Sequence, residues 1–284
     1  MSTGKTHKKL QQNPYKDLYI YYIENCLSNI EESALGNDFL GNWVEEDCSF
    51  LFFSNPSREI VQSIIDNNRK LKINDEYHFS YEEWQGGEIK TFKVSRFLIV
   101  PPWEDIKASD REIKIILDPG VVFGTSLHPT TRDSLIALLM IWGGSRCQKV
   151  IDLGTGTGVL ALGAALLGAE NVLAIDINPL AVSTAVNNVK LNSLEGKVDV
   201  KVGRAENFID YNCDLLIANI HYEIILNLIH NEAFYKKRYF ILSGLMEKQA
   251  NNIGNELSKY PVKIINEWRG NMIWHTILGK IDEV

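Results

Sequence analysis

Residues 150–176 read VIDLGTGTGVLALGAALLGAENVLAID, and this stretch decides the fold of the chain. Val150 and Ile151 form an apolar run that leads to Asp152. Gly154, Gly156 and Gly158 follow at alternate positions, and then a long apolar stretch of helical character. A second apolar run, Val172–Ile175, stops at Asp176. The pattern is strand, tight glycine turn, helix, strand, with a carboxylate at the tip of the second strand. Such a unit takes a nucleoside-bearing ligand at the carboxyl ends of parallel strands. A dinucleotide fingerprint spaces its glycines as G-x-G-x-x-G, with the third glycine opening a helix toward a pyrophosphate. Here the spacing is G-x-G-x-G, and Val159 stands where that third glycine belongs. The loop therefore offers close backbone approach without a phosphate trap.

The chain has 284 residues, room for one large domain or two ordinary ones. With 45% hydrophobic and 23% charged residues it has the composition of a globular protein with a substantial core. The apolar run 159–169 is too short to cross a bilayer. The first residues, with Lys5, Lys8 and Lys9, are polar and carry no secretory apolar segment, so a cytoplasmic location is expected. The four cysteines (Cys26, Cys48, Cys147, Cys213) form no metal-type spacing and read as reduced structural thiols. A net charge of −7 argues against direct nucleic-acid binding and is compatible with a basic protein partner.

Along the chain, residues 1–14 read as a disordered arm and 15–81 as a small α+β domain. Strand-like Leu18–Ile23, a helical stripe over Glu24–Leu35, strands Trp43–Glu46 and Ser49–Ser54, a helix opened by Asn55-Pro56, and strand Glu76–Tyr81 give the ferredoxin-like order β-α-β-β-α-β. Residues 82–110 read as a linker, made semi-rigid by Pro101-Pro102. From 111 to 284 strands and helices alternate, with strands expected at Ile113–Leu117, Val198–Val202, Asp214–Asn219 and Arg238–Leu245. Val262–Arg269 and Met272–Leu278 flank Gly270-Asn271 as a hairpin. The expected class is α/β, a mostly parallel seven-stranded sheet closed by an antiparallel hairpin, preceded by the small α+β domain.

The segments FLIVPPWED (97–105), LDPGVVFGTSLHPTT (117–131), VIDLGTGTG (150–158), AIDINPLAV (174–182) and ANI (218–220) resemble, in order and spacing, the ribosomal protein L-eleven methyltransferases. Those are S-adenosylmethionine-dependent, Rossmann-like enzymes with an N-terminal recognition domain. The chain departs from the family at Ser126-Leu127, usually glycine and threonine, and at His221-Tyr222-Glu223 after Asn219-Ile220. The resemblance implies transfer of a methyl group to amino groups, lysine or N-terminal, of a ribosomal protein or a similar basic protein, with no metal. The competing readings are a nicotinamide-dependent oxidoreductase, opposed by Val159 and the terminal hairpin, and a non-catalytic cofactor-binding module.

The residues can be weighed singly. Asp152, Gly154, Gly156 and Gly158 form the expected cofactor loop, and Asp176, 22 residues after Gly154, is in place for ribose hydroxyls. Asp176 also suits a cap before Pro179. Thr130 and Asp133 fit a capping box, while by resemblance Thr131 contacts the cofactor. Glu206, with Ala205, follows the third strand, where the class places residues near the adenine. Asn219, at a strand end, either turns the chain or touches the cofactor and orients the acceptor nitrogen, which makes it the catalytic candidate. His128 and His221 have no assigned role.

Overall fold

The structure, a computed structural model, describes residues 13–27, 29–122, 128–270 and 273–282. The arm expected at 1–14 falls outside it except for its last two residues, and so do Ser126 and Leu127.

The N-terminal unit comprises β1 (Asp17–Glu24), α1 (Asn29–Ser33), β2 (Phe39–Glu45), β3 (Cys48–Phe53), α2 (Arg58–Asn67) and β4 (Lys72–Ser80). Its strands lie in the order β2-β3-β1-β4, all pairs antiparallel, as expected of the interleaved βαβ plan. Side chains alternate across a strand, and here both faces are covered. Tyr21, Ile23, Leu51 and Phe53 pack against Val61 and Ile64 of α2. On the other face, Leu18, Ile20 and Phe52 pack with Tyr81 and Val121, and Leu180 closes the edge of that cluster. This explains why LYIYYI shows no polar alternation.

Three local expectations are corrected. The first helix is short because β1 runs to Glu24 and Asn25 turns the chain at φ +68°, its amide donating to the carbonyl of Lys70. Helix α2 begins at Arg58, not at Asn55-Pro56: Ser57 holds the capping position and its carbonyl takes the first helical bond, from the Val61 N–H. Strand β4 ends at Ser80, and Tyr81 opens α3 (Tyr81–Gln85) through a reciprocal Ser80–Glu83 capping box.

The stretch expected as a linker carries α3, β5 (Phe92–Val94) and β6 (Phe97–Val100). Strand β7 (Ile113–Ile116) forms where a strand was expected at Ile113–Leu117, but it pairs in parallel with β6 in a separate three-stranded sheet, outside the seven strands of the large one. The other edge of β7 is taken by helix α6 (Pro179–Leu191): Asn192, just beyond it, accepts from the Ile116 N–H and donates to the Ile116 carbonyl.

The large sheet contains β8 (Lys149–Leu153), β9 (Asn171–Asp176), β10 (Val198–Val202), β11 (Leu215–Asn219), β12 (Tyr239–Met246), β13 (Val262–Gly270) and β14 (Trp274–Ile281). Their order is β10-β9-β8-β11-β12-β14-β13, parallel up to β12 and antiparallel for the last two. Helices α4 (Pro129–Gly144) and α5 (Val159–Leu167) cover one face around Leu135, Leu138 and Leu162. Helices α7 (Tyr222–Ile229) and α8 (Glu247–Leu257) cover the other around Ile225, Leu228 and Ile253. The central strands are buried on both sides, which accounts for their continuous apolar runs. Among the described residues no helix is long and apolar enough to cross a membrane.

Candidate active site

The order of a doubly wound sheet reverses beside its first strand, and ligands bind outside the carboxyl ends there. In this chain β8 is that strand, and the glycine loop leaves its end. Gly154, Gly156 and Gly158 all have left-handed backbone, with φ of +73°, +55° and +83°. Side-chain-bearing residues rarely adopt that region, so the alternate spacing reflects three successive left-handed turns. The N–H groups of Gly154 and Thr155 both donate to the Ile175 carbonyl at 2.8 and 2.9 Å. A Cβ on Gly154 would overlap the Cγ2 of Ile220, which places the residue after Asn219 directly over the loop.

Two carboxylates flank this loop. Asp176, at the tip of β9, accepts from the N–H of Gly156 and of Asn178, both at 2.9 Å. Burial raises its pKa, and those backbone donors work against the rise. Asp152 is 1% exposed; its Oδ2 accepts from the Thr155 hydroxyl at 2.7 Å, and the Ala161 N–H also faces the carboxylate. Burial pushes the Asp152 carboxyl up to about 6.

Thr131 and Asn219 come together across the cleft. The Asn219 amide donates to the Thr131 hydroxyl at 3.4 Å. Gly244 lies beside them at a β-bulge in β12, with φ +84°; a Cβ there would stand 3.2 Å from Asn219 Oδ1 and 3.1 Å from the Ile220 carbonyl. The bulge thus leaves the Asn219 oxygen uncovered on that side. Ser243 continues the contact inward, its hydroxyl donating to the Thr130 carbonyl.

The capping box expected from Thr130 and Asp133 does not form, because α4 already begins at Pro129 with His128 as its capping residue. Thr130 Oγ1 instead bonds His128 Nδ1 at 2.7 Å, and the His128 ring meets Trp274 edge-on at 5.1 Å. His221 caps α7 without a side-chain bond, and the Tyr222 hydroxyl accepts from Asn252. Glu206 lies in a short 3-10 turn, Ala205–Phe208, and its carboxylate pairs with Arg204 rather than with the loop; only the backbone of that stretch reaches Asp176, through Gly203 N–H to its carbonyl.

Sequence reasoning missed Ile220, Gly244 and Asn188. Asn188 carried a legible signal: it is polar, yet it shares the buried helical stripe of Ala181, Ala185 and Val189. A groove of about 420 Å³ lined by Arg58, Gln62, Lys72 and Glu76 lies on the N-terminal unit, far in the sequence from the glycine loop, and the Arg58–Glu76 ion pair is among its walls.

The strand order, the hairpin and the glycine loop together define a Rossmann-like methyltransferase fold. A family model described as Ribosomal protein L11 methyltransferase (PrmA) matches residues 56–281, and the chain belongs to that family. A ribosomal protein L11 methyltransferase of Enterococcus faecalis is 37% identical over 195 residues, 67% of this chain and 61% of the relative. One from Streptococcus pyogenes serotype M1 is 37% identical over 182 residues, 62% of this chain and 56% of the relative. The chain thus spans about three-fifths of the length of these relatives. The crystal structure of a ribosomal protein L11 methylase from Lactobacillus delbrueckii subsp. bulgaricus superposes with a TM-score of 0.59 at 30% identity, covering 69% of this chain and all of that one.

The buried Asp152 carboxyl gives a direct test of charge at the site. A folded-state pKa near 6, against about 3.9 unfolded, means that the native protein binds a proton between those values that the unfolded chain releases. Ionisation of Asp152 therefore lowers stability as pH rises from about 4 to about 6, by up to roughly 3 kcal/mol. Asp152→Asn is expected to raise the melting temperature of the ligand-free protein at pH 8, with the gain shrinking toward pH 5. A gain independent of pH would assign the effect to packing instead.

Proposed function

We propose that this chain is an S-adenosylmethionine-dependent protein methyltransferase that methylates amino groups, lysine or N-terminal, of ribosomal protein L11. The observation that carries the reading is the pairing of a left-handed glycine loop with two flanking carboxylates that brace it, Asp152 through Thr155 and Asp176 through Gly156. Asp152 lies buried under the loop, where its carboxylate holds the Thr155 hydroxyl and so the turn that would face the ligand. Asp176 would accept from the ribose hydroxyls, and Gly154, Gly156 and Gly158 would let the ligand lie against the backbone. Glu206 remains a candidate for the adenine side if its pair with Arg204 opens.

When bound, the cofactor supplies a methyl group on a sulfonium, an electrophile that needs no metal. The protein's work is then alignment and control of the acceptor's proton. A lysine ammonium has a pKa of about 10.4 and must shed a proton before its lone pair can attack. Burial in the cleft disfavours that charge. Asn219, with its amide nitrogen committed to Thr131, presents Oδ1 to accept a remaining N–H and aim the lone pair. His128, whose pKa is lowered by burial, and His221 have no part in this scheme.

We further assign residues 15–81 to substrate recognition and 111–284 to cofactor binding and transfer, with 82–110 between them. A basic protein partner suits the net charge of −7. No role in nucleic-acid or membrane binding is proposed, and the site of action would be the cytoplasm. The test is incubation of the full chain with methyl-labelled S-adenosylmethionine and purified ribosomal protein L11. Label on L11 amines is expected, and Asn219→Ala should remove most of it. Label on other ribosomal proteins alone would refute the acceptor, and tight binding of NAD with none of S-adenosylmethionine would refute the class.

A further inference from the structure

We infer that Asn188 is a positioning residue through which the docked N-terminal unit sets the shape, and so the cofactor affinity, of the glycine loop; this rests on the S-adenosylmethionine reading above. Asn188 sits on α6 with no solvent exposure. Its Oδ1 accepts from the Asp118 N–H at 2.8 Å, and its Nδ2 donates to the Asp118 carbonyl at 2.8 Å and to the Thr157 carbonyl at 2.9 Å. One amide thus grips the 118 segment as a neighbouring strand would, and at the same time holds the glycine loop between Gly156 and Gly158.

The 118 segment is in turn held from the N-terminal side. The Tyr15 hydroxyl donates to the Asp118 carboxylate at 3.2 Å, and Tyr15 stacks on Tyr81 with ring centroids 4.6 Å apart. The Tyr81 hydroxyl donates to the Gly120 carbonyl at 2.7 Å, and the Trp84 indole to the Val121 carbonyl at 3.0 Å. The Asp118 carboxylate also takes the Gly120 N–H. A contiguous hydrogen-bonded path therefore runs from Tyr15 through Asp118 and Asn188 to Thr157. Buried networks whose members are all satisfied hold one geometry firmly, and coupling of this kind is measured by the failure of two substitutions to act independently.

Asn192 provides an internal comparison one turn along. It bonds both backbone groups of Ile116 and the Asn188 carbonyl, yet among the described residues it makes no bond to the glycine loop. A residue that only stabilises the fold should behave like Asn192. The experiment is titration of the full chain with S-adenosylmethionine by calorimetry, alongside thermal melting. Asn188→Ala is expected to weaken binding at least tenfold, and Tyr15→Phe about threefold although it lies across the 118 segment from the loop. In the double variant the Tyr15 effect should vanish, because its path is already cut. Asn192→Ala should lower the melting temperature while keeping affinity within twofold of wild type. Equal affinity losses for Asn188→Ala and Asn192→Ala, or independent effects of Tyr15 and Asn188, overturn the inference. Should Asn188→Ala not fold, Asn188→Asp keeps the acceptor and loses both donors, and unchanged affinity there or in Tyr15→Phe is equally decisive. A wild-type chain that binds no S-adenosylmethionine overturns the cofactor reading itself, a result distinct from either.

Discussion

Gly154→Ala is expected to abolish measurable S-adenosylmethionine binding, with an affinity loss of at least about a hundredfold. Two costs combine. An alanine at φ +73° carries roughly 1–2 kcal/mol of left-handed backbone strain. Its Cβ would also overlap Ile220 Cγ2, on a β-branched side chain with few rotamers to retreat to, and overpacking of this kind costs about 1–3 kcal/mol. The loop relieves both by shifting, and with it moves the backbone that would face the ligand. Every 1.4 kcal/mol is about tenfold in affinity. Gly168→Ala is the matched control: it has φ +113° at the end of α5, and a methyl added there would meet nothing within 4 Å. It should lower stability and leave binding intact. Calorimetry and thermal melting on both variants decide the matter, and wild-type affinity in a folded Gly154→Ala protein would remove the loop from the site.

Asp176→Ala is expected to weaken binding by about a hundredfold, and Asp176→Asn by about tenfold. Loss of a hydrogen bond to a charged group costs roughly 1.5–3 kcal/mol. Alanine loses more than the ribose contact, because the carboxylate also braces Gly156 and Asn178 at 2.9 Å. Asparagine keeps one acceptor oxygen, so part of the brace survives. Titration of the two variants separates the roles: equal losses would assign the effect to ribose charge alone. If neither loses affinity, Asp176 only braces the turn into α6, whose capping residue is Asn178, not Asp176.

Much of the architecture was legible because local chemistry and tertiary context agree. In the large sheet the apolar runs are fully buried strands, the glycines are compelled by left-handed backbone, and the hairpin turns where Gly270 ends β13. The misreadings share a different cause. Asn55, Thr130 and Asp133 have the right identities for helix caps, but the helices start elsewhere: α2 at Arg58, three residues beyond Asn55, and α4 at Pro129, too early for the box. Residues 82–110 looked like a connector because their strands are three or four residues long, too short to show a period. Phe97 and Ile99 nevertheless pack into the core of α4 and α5.

The sequence alone determined the α/β class, the glycine loop between Asp152 and Asp176, and the family resemblance, since each rests on residue type at fixed spacing along one strand–turn–helix unit. Tertiary structure alone decided that Thr131 and Asn219, 88 residues apart, share a hydrogen bond. It also set Ile220 over Gly154, opened the bulge at Gly244, and drew Tyr15, Asp118, Asn188 and Thr157 into one path. Those contacts depend on the order in which strands assemble and on which face of α6 meets the loop. Such long-range pairings leave no periodic trace in the residues that make them, because each partner satisfies only its own local pattern until the sheet brings the two together.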